Sequence, residues 1–313
     1  MDPQKIYDQV RAHYSAASQG TTAAYGSAIA KSFGYSAEEL AHVPEGSNLG
    51  LSCGNPLAIA SVGEGETVID LGSGAGFDAF AAAEKAGPSG NVIGVDMNED
   101  MLARASEIKA KLDKTNVEFV KSSITDISIL ESGIADCIIS NCVINLVPAA
   151  EKHLVFKEIF RLLKPGGRLA VSDILAKKPM PEKIRSDIAL YVGCISGAST
   201  VSEYEEFLKD AGFKEILISD SKGDLNVYTQ IGEDGLKKTD CCASTKAKNE
   251  ESDGRCKPSS DTNVGLVETD LNQWAETKIY NTEDSPMVTH LNISSALTIL
   301  YESKIAGFGI PGI

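Results

Sequence analysis

One short stretch of the chain constrains its fold more than any other. Residues 67–71 have the apolar pattern of a buried strand, and they run into the turn GSGAG at 72–76 and then the helical stretch FDAFAAAEKAG. A turn without Cβ atoms lets a ligand approach the backbone, and the helix that follows offers unpaired N–H groups. The unit predicts a ligand site at the carboxyl end of a strand in an α/β protein.

The chain from residue 67 onward alternates short apolar runs with helical stretches. Seven runs have strand character: TVIDLG, NVIGVDM, VEFVKSS, ADCIISNCVI, GRLAVSDI, FKEILISD and NVYTQI. Strands that alternate with helices indicate parallel βαβ units with both faces of the sheet covered. Only residues 221–225 separate the last two runs, which favours an antiparallel hairpin. We therefore expect a Rossmann-like α/β fold whose seven-stranded, mostly parallel sheet ends in this hairpin.

Two acids indicate which ligand the glycine turn accepts. Asp70 lies two residues before the first glycine, and Asp96 ends the second strand. The third glycine comes one residue earlier than in a dinucleotide fingerprint, and the lysine of a phosphate loop is absent from this turn. One acid that meets a cationic amino group and one that accepts two ribose hydroxyls together suit S-adenosylmethionine (SAM), a nucleoside with an ammonium group and no phosphate.

The predicted SAM site gathers residues at the carboxyl ends of the first four strands. Ser123 and Ile124 follow the third strand, where an adenine edge would lie, and Asn141 ends the fourth. The alternatives are a tight turn without a ligand and a nicotinamide enzyme, but the strand-turn-helix unit together with both acids favours SAM. The complete set is Asp70, Gly72, Ser73, Gly74, Gly76, Asp96, Met97, Ser123, Ile124 and Asn141.

The charge balance excludes several classes of partner. The chain has 313 residues, with 29 Lys and Arg against 44 Asp and Glu, for a formal net charge of -15. Nucleic acids and anionic membranes are bound through basic surfaces, so we expect neither as a partner. No run reaches the roughly 18–20 apolar residues of a spanning helix, and the first residues lack the basic-then-apolar pattern of a secretory signal. The sequence predicts a cytoplasmic protein.

Seven cysteines are scattered along the chain, an odd number that does not indicate a disulfide framework. Cys53, Cys142 and Cys194 lie in the irregular segments SCGNP, SNCVINL and VGCISG. Each could be a small buried hydrophobe. If the fold brings the three together, their thiolates make a soft trigonal site suited to a thiophilic element. Cys137, inside the fourth strand, is a predicted core residue.

The sequence resembles the arsenite methyltransferase family at these positions. The matching segments run in the family's order across residues 48–230: LSCGNPLAIA, VIDLGSGAGFDAF, VIGVDMNEDML, SNCVINLV, IFRLLKPGGRLAVSDI and YVGCISGAS. The resemblance implies a class I SAM-dependent methyltransferase fold. It also implies methylation of trivalent arsenic, as thiol complexes of arsenite or monomethylarsonous acid, with SAM as methyl donor and detoxification as the outcome.

The resemblance assigns roles to three cysteines. It implies that Cys142 and Cys194 bind arsenic directly, and that Cys53, which matches the family's cysteine just before the SAM domain, completes the ligand set. Methylation formally oxidises arsenic, so the expected partner is a thiol reductant such as glutathione or thioredoxin. A further family cysteine has no counterpart in residues 19–35, which predicts a preference for thiol-bound or already monomethylated arsenic.

Two other functions fit parts of the sequence. The cysteines could belong to the core of a SAM enzyme that methylates a carbon, oxygen or sulfur acceptor. The chain could also be a non-catalytic metalloid-binding protein, although such a protein would need neither Asp70 nor Asp96.

We divide the chain into four parts. Residues 1–60 form a predicted helical segment that covers the SAM and substrate sites, and residues 61–231 form the SAM-binding domain with its arsenic-binding insertions. Residues 232–265 are polar and charged, which is typical of a flexible linker. Residues 266–313 form a small C-terminal region. The cysteines of the predicted linker are Cys241, Cys242 and Cys256.

Overall fold

The computed structural model describes residues 2–238. Its helices are α1 (Pro3–Ala17), α2 (Ala23–Ser32), α3 (Ala37–His42), α4 (Leu57–Ala60), α5 (Phe77–Ala86), α6 (Glu99–Lys111), α7 (Lys152–Leu162), α8 (Glu182–Arg185), α9 (Ile188–Val192), α10 (Val201–Ala211) and α11 (Val227–Gln230). Its strands are β1 (Thr67–Leu71), β2 (Asn91–Asp96), β3 (Val117–Lys121), β4 (Ala135–Asn141) and β5 (Leu163–Ser172). None of the described helices is long and apolar enough to cross a membrane.

Two of the predicted parts fall largely beyond this range. The linker after residue 238 and the whole C-terminal region lie outside the described residues, as do Cys241, Cys242 and Cys256. Their predicted roles stay predictions.

The strands of the described residues form a five-stranded parallel sheet in the order β3-β2-β1-β4-β5. The order reverses at β1, where Asp70 lies between Gly94 of β2 and Ile139 of β4. At such a switch point a crevice opens outside the carboxyl ends of the strands, and ligands bind there. The predicted Rossmann-like α/β architecture is confirmed.

Alternate residues of the strands supply two apolar layers, one on each face of the sheet. Val68 of β1 lies in one cluster with Phe80 of α5, whereas Ile69 lies in another with Phe156 of α7. This alternation follows from the two-residue period of a strand. Cys137 of β4 is fully buried in the cluster of Val68, so its predicted place in the core is confirmed.

The helices that precede the sheet begin where the sequence provides caps. Asp2 caps α1 by accepting from the Gln4 N–H, and Pro3 occupies the first turn, where its missing N–H is harmless. Ser36 and Glu39 form a reciprocal capping box at the start of α3, as the segment SAEEL predicts. Helix α1 packs against α6 and α9, so it lies across the carboxyl edge of the sheet.

The predicted terminal hairpin is wrong. The described residues form five strands rather than seven, and residues 213–219 form neither helix nor strand. Within the segment NVYTQI, Val227–Gln230 form the helix α11 instead, and the Asp224 side chain accepts from the Asn226 N–H just before it. Leu225 and Val227 are buried in a cluster with the N-terminal helices. Burial against those helices outweighs the strand propensity of the segment.

Replacing Leu225 by Ala tests this packing. Leu225 is 3% exposed, so we expect a loss of about 2–5 kcal/mol in the free energy of unfolding. The matched control is Leu217→Ala, since Leu217 is 54% exposed and its loss should lie within about 0.5 kcal/mol. Urea unfolding measures both changes. Equal losses would show that residue 225 is not packed as described.

Candidate active site

A cleft opens at the carboxyl edge of the sheet, at the switch point between β1 and β4. It encloses about 1060 Å³ including its open mouth, and α1 forms one wall. The predicted cofactor residues that line it are Asp70, Gly72, Ser73, Gly74, Asp96, Met97, Ser123, Ile124 and Asn141. Lining residues that the sequence analysis did not single out include Tyr14, Leu49, Asp78 and Met101.

The glycine turn is shaped by left-handed backbone that favours glycine. Gly72, Gly74 and Gly76 have φ values of 70°, 52° and 89°. A Cβ at Gly72 would lie 2.7 Å from the Cβ of Val143, so the turn packs closely on the segment after β4. Gly76 is not among the residues that line the cleft. A Cβ there would lie 2.7 Å from Phe80, so its place is set by packing under the turn.

Two buried polar atoms in the cleft have no hydrogen-bond partner among the described residues. These are the Oδ2 atom of Asp70 and the Oγ atom of Ser73. Buried polar groups are normally satisfied, so such atoms mark a place for a polar ligand. Burial raises the pKa of Asp70, and the nearby carboxylates of Asp78 and Asp96 raise it further. A cationic ligand group would lower the pKa of Asp70 and so offset the effects of burial and of the two neighbouring carboxylates.

Asp96 is oriented by the backbone. Its Oδ1 accepts from the Asn98 N–H and its Oδ2 from the Gly74 N–H, each at 2.8 Å. Burial raises the pKa of this carboxyl, and these backbone bonds act in the opposite direction. Each oxygen keeps a lone pair, so the carboxylate can accept hydroxyl groups of a ligand.

Asp78, in the first turn of α5, is a third acid of the cleft. Its Oδ1 accepts from the Tyr35 hydroxyl at 2.5 Å and its Oδ2 from the Asn141 Nδ2 at 2.9 Å. Burial raises the pKa of Asp78 to about 6, although both bonds lower it. Asn141 also accepts from the Cys53 N–H at 3.3 Å, so one amide joins the acids to a cysteine. The sequence feature that could have identified Asp78 is an acid in the first turn of the helix that follows the glycine turn.

The three cysteines predicted to act together do meet beside the cleft. Cys53 and Cys142, 89 residues apart, form a disulfide with their Cα atoms 5.6 Å apart. The Cys194 Sγ donates to the carbonyl oxygen of Cys142 at 2.9 Å. All three are buried, and Cys142 also lines the cleft. The fold thus brings three cysteines that are far apart in the sequence next to one another.

Cys142 and Cys194 both occupy the left-handed region, with φ values of 59° and 62°. This conformation costs a residue with a Cβ about 1–2 kcal/mol. Hydrogen bonds hold each backbone there: the Cys142 N–H donates to Ser172 O at 2.8 Å and the Cys194 N–H to Tyr191 O at 2.9 Å. Backbone strain of this kind clusters at functional sites.

A buried lysine lies under the cysteines. Lys152 is 1% exposed, and its ammonium group donates to Asn145 Oδ1 at 3.2 Å, to Ser199 Oγ at 3.0 Å and to the carbonyl oxygen of Gly197. The Asn145 Nδ2 donates to Asp173 Oδ1 at 2.7 Å. Burial lowers the pKa of Lys152 to about 8 and raises that of Asp173 to about 6. The network ties together the two loops that carry Cys142 and Cys194.

Sequence and structure comparisons identify similar proteins. A methyltransferase-domain family matches residues 63–212. Over 186 residues the chain is 47% identical to an arsenite methyltransferase of Halobacterium salinarum, covering 59% of this chain and 47% of that protein. It is 40% identical over 181 residues to an arsenite methyltransferase of Aquipseudomonas alcaligenes, covering 55% and 50%. The chain therefore spans about half the length of these relatives.

A solved structure shares the fold. The crystal structure of an arsenic(III) S-adenosylmethionine methyltransferase from Chlamydomonas reinhardtii matches with a TM-score of 0.50 and 30% identity, covering 67% of this chain and 69% of that chain. The described residues therefore have the class I methyltransferase fold that the sequence predicts, apart from the terminal hairpin.

Removing the charge of Lys152 tests the buried network. In Lys152→Met the Asp173 carboxylate keeps its burial but loses the nearby cation, so we expect a loss of about 3–5 kcal/mol in the free energy of unfolding. The exposed Lys157→Met is the control and should change little. Urea unfolding measures both. A double variant with Asp173→Asn should lose less than the sum of the single losses, and additive losses would contradict the proposed coupling.

Proposed function

The chain belongs to the arsenite methyltransferase family, and on that premise we propose that it transfers the methyl group of SAM to trivalent arsenic. The substrates are arsenite or monomethylarsonous acid as thiol complexes, and the products are methylated arsenicals. The observation that carries the proposal is the convergence of Cys53, Cys142 and Cys194 beside the cleft. In a methyltransferase for a carbon, oxygen or sulfur acceptor the three cysteines would serve only as core residues, and that role does not account for the left-handed backbone of Cys142 and Cys194.

The described residues suit SAM as the methyl donor. Asp70, whose Oδ2 has no hydrogen-bond partner among the described residues, would hold the ammonium group, and Asp96 would accept the ribose hydroxyls. Ser123 and Ile124 line the part of the cleft that would hold the adenine. When bound, SAM supplies a methyl group that a sulfonium has activated for attack by a nucleophile.

The cysteines bind arsenic in the dithiol state, in which Cys53 and Cys142 are reduced to free thiols. Each thiol replaces a hydroxide or thiolate ligand of arsenic, and its proton leaves with the displaced group as water or a thiol. Burial raises the pKa of Cys194, so its sulfur keeps the proton until arsenic takes its place. The nucleophile is the lone pair of arsenic, which carries no proton, and no general base is required. The chain contributes mainly by positioning, which can supply roughly 7–11 kcal/mol.

A redox step completes the proposed cycle. Methylation leaves arsenic pentavalent, and two thiols return it to the trivalent state by losing two electrons and two protons as they form a disulfide. The pairing of Cys53 with Cys142 supports this assignment. A dithiol or thiol such as thioredoxin or glutathione would then reduce the disulfide. A cycle of this kind suits the reducing cytoplasm.

Separate Cys142→Ser and Cys194→Ser variants test the thiol site. We expect each to lower methylation of monomethylarsonous acid by about 100-fold or more, because a misplaced reactant loses the benefit of orientation. Arsenic speciation of the products measures the rate, and calorimetry shows whether SAM still binds. Cys137→Ala is the control, because Cys137 lies inside β4 away from the cleft. Near wild-type turnover in both variants would contradict the proposal.

A Cys53→Ser variant tests the division of roles among the cysteines. Inorganic arsenite has three ligands to exchange and monomethylarsonous acid has two, so we expect the variant to lose more activity on arsenite. The comparison is the ratio of kcat/KM for the two substrates in variant and wild type. An unchanged ratio would contradict the assignment of Cys53 as the third ligand.

A further inference from the structure

Asp173 lies beside the cysteines and has no part in the proposed methyl transfer. One carboxylate oxygen of Asp173 and the sulfurs of Cys53 and Cys142 all lie within 4.8 Å of one another, and all three residues are buried. The parallel pairing of β4 with β5 produces this arrangement. Asn141 pairs with Ser172 at the ends of the two strands, and the residues that follow them are Cys142 and Asp173.

The Asp173 carboxylate has a lone pair left for a ligand. Its Oδ1 accepts from Asn145 Nδ2 at 2.7 Å and from the Ile174 N–H at 2.9 Å. Its Oδ2 accepts from the Tyr204 hydroxyl at 2.9 Å. The Asn145 backbone N–H also stabilises the ionised carboxylate. These bonds orient the group, and Oδ2, whose hydrogen bond among the described residues comes from Tyr204, keeps a lone pair for a ligand.

We propose that in the dithiol state Cys53, Cys142 and Asp173 bind a thiophilic divalent cation of the zinc and cadmium class. Zinc takes thiolate sulfur at about 2.3 Å and carboxylate oxygen at about 2.0–2.2 Å, with a fourth position for water. Three ligand atoms within 4.8 Å need only small side-chain shifts to share such an ion. Binding displaces the two thiol protons to solvent and requires no redox change.

Charge balance supports a divalent ion in this buried place. Two thiolates and one carboxylate carry three negative charges, and the cation supplies two positive charges. The third comes from Lys152, which reaches Asp173 through the Asn145 side chain. Buried charges persist only when they are paired and hydrogen-bonded, so the occupied site is neutral as a whole.

The cation site differs from the arsenic site because its ligands include the Asp173 carboxylate. Trivalent arsenic takes the soft sulfur ligands, and Cys194 is one of them in the proposed function. The cation site uses Asp173 and does not need Cys194. The consequence for catalysis rests on the proposed function: the cation occupies two of the arsenic-binding thiols, so it inhibits methylation by competing with the arsenical.

The test titrates Co²⁺ into the full chain after reduction with a phosphine, without oxygen. Cys241, Cys242 and Cys256 are replaced by Ser so that their thiols do not contribute. We expect one Co²⁺ per chain with a sulfur-to-cobalt charge-transfer band, and Zn²⁺ should displace it. Asp173→Asn should weaken binding about 10–100-fold. Asp136→Asn is the control, because Asp136 pairs with Lys164 on the surface.

A reciprocal pair of variants decides the assignment. Cys194→Ser should bind Co²⁺ within about threefold of the parent protein but lose phenylarsine oxide, whereas Asp173→Asn should do the opposite. Absence of the band, or equal Co²⁺ affinity in Asp173→Asn and its parent, would overturn the proposal.

A measurement on the unsubstituted ligands covers the case in which Asp173→Asn fails to fold. The ¹¹³Cd chemical shift of the parent protein distinguishes two sulfurs and an oxygen, which is expected, from three sulfurs, which would overturn the proposal. Methylation is assayed separately in chelator-treated protein. A failure of methylation there with intact Co²⁺ binding counts against the proposed function and not against the cation site.

Discussion

Parallel pairing of β1, β4 and β5 places the chemistry of this protein along one edge of the sheet. The register puts Leu71 beside Ser140, and Asn141 beside Ser172. The residues that follow these strands are therefore neighbours: the glycine turn, Cys142 and Asp173. A shift of two residues in either pairing would move the cysteine about 7 Å along the strand and separate it from the cleft. The cofactor cleft and the thiol site consequently depend on the same backbone hydrogen bonds.

The two halves of the site differ in their electrostatics. The half that is proposed to bind SAM contains the acids Asp70, Asp78 and Asp96, and burial raises the pKa of each. The thiol half rests instead on the buried ammonium group of Lys152. An acidic cleft favours a cationic donor, and a cation under the sulfurs favours thiolate ligands. Asn141 connects the halves, since it donates to Asp78 and accepts from the Cys53 backbone.

Local patterns in the sequence predicted much of the fold, and most of the residues predicted to bind SAM line the cleft. The alternation of strands and helices, the capping box at Ser36 and the glycine turn depend on neighbouring residues, so they can be read directly. The same reasoning failed for NVYTQI, because its strand propensity is weaker than the burial of Leu225 and Val227 against distant helices. Propensity is a weak prior wherever long-range packing competes with it.

The sequence by itself determined the parallel α/β architecture, and it predicted Asp70 and Asp96 as cofactor acids and Cys53, Cys142 and Cys194 as one group. Only the tertiary structure decided that Cys53 pairs with Cys142, that Cys142 and Cys194 adopt left-handed backbone, and that Lys152 and Asp173 lie beneath them. The physical reason is the separation along the chain of the residues that interact. A turn or a cap is fixed by residues within one or two turns of chain, whereas these contacts join segments tens of residues apart, and strand pairing and buried charge compensation set their geometry.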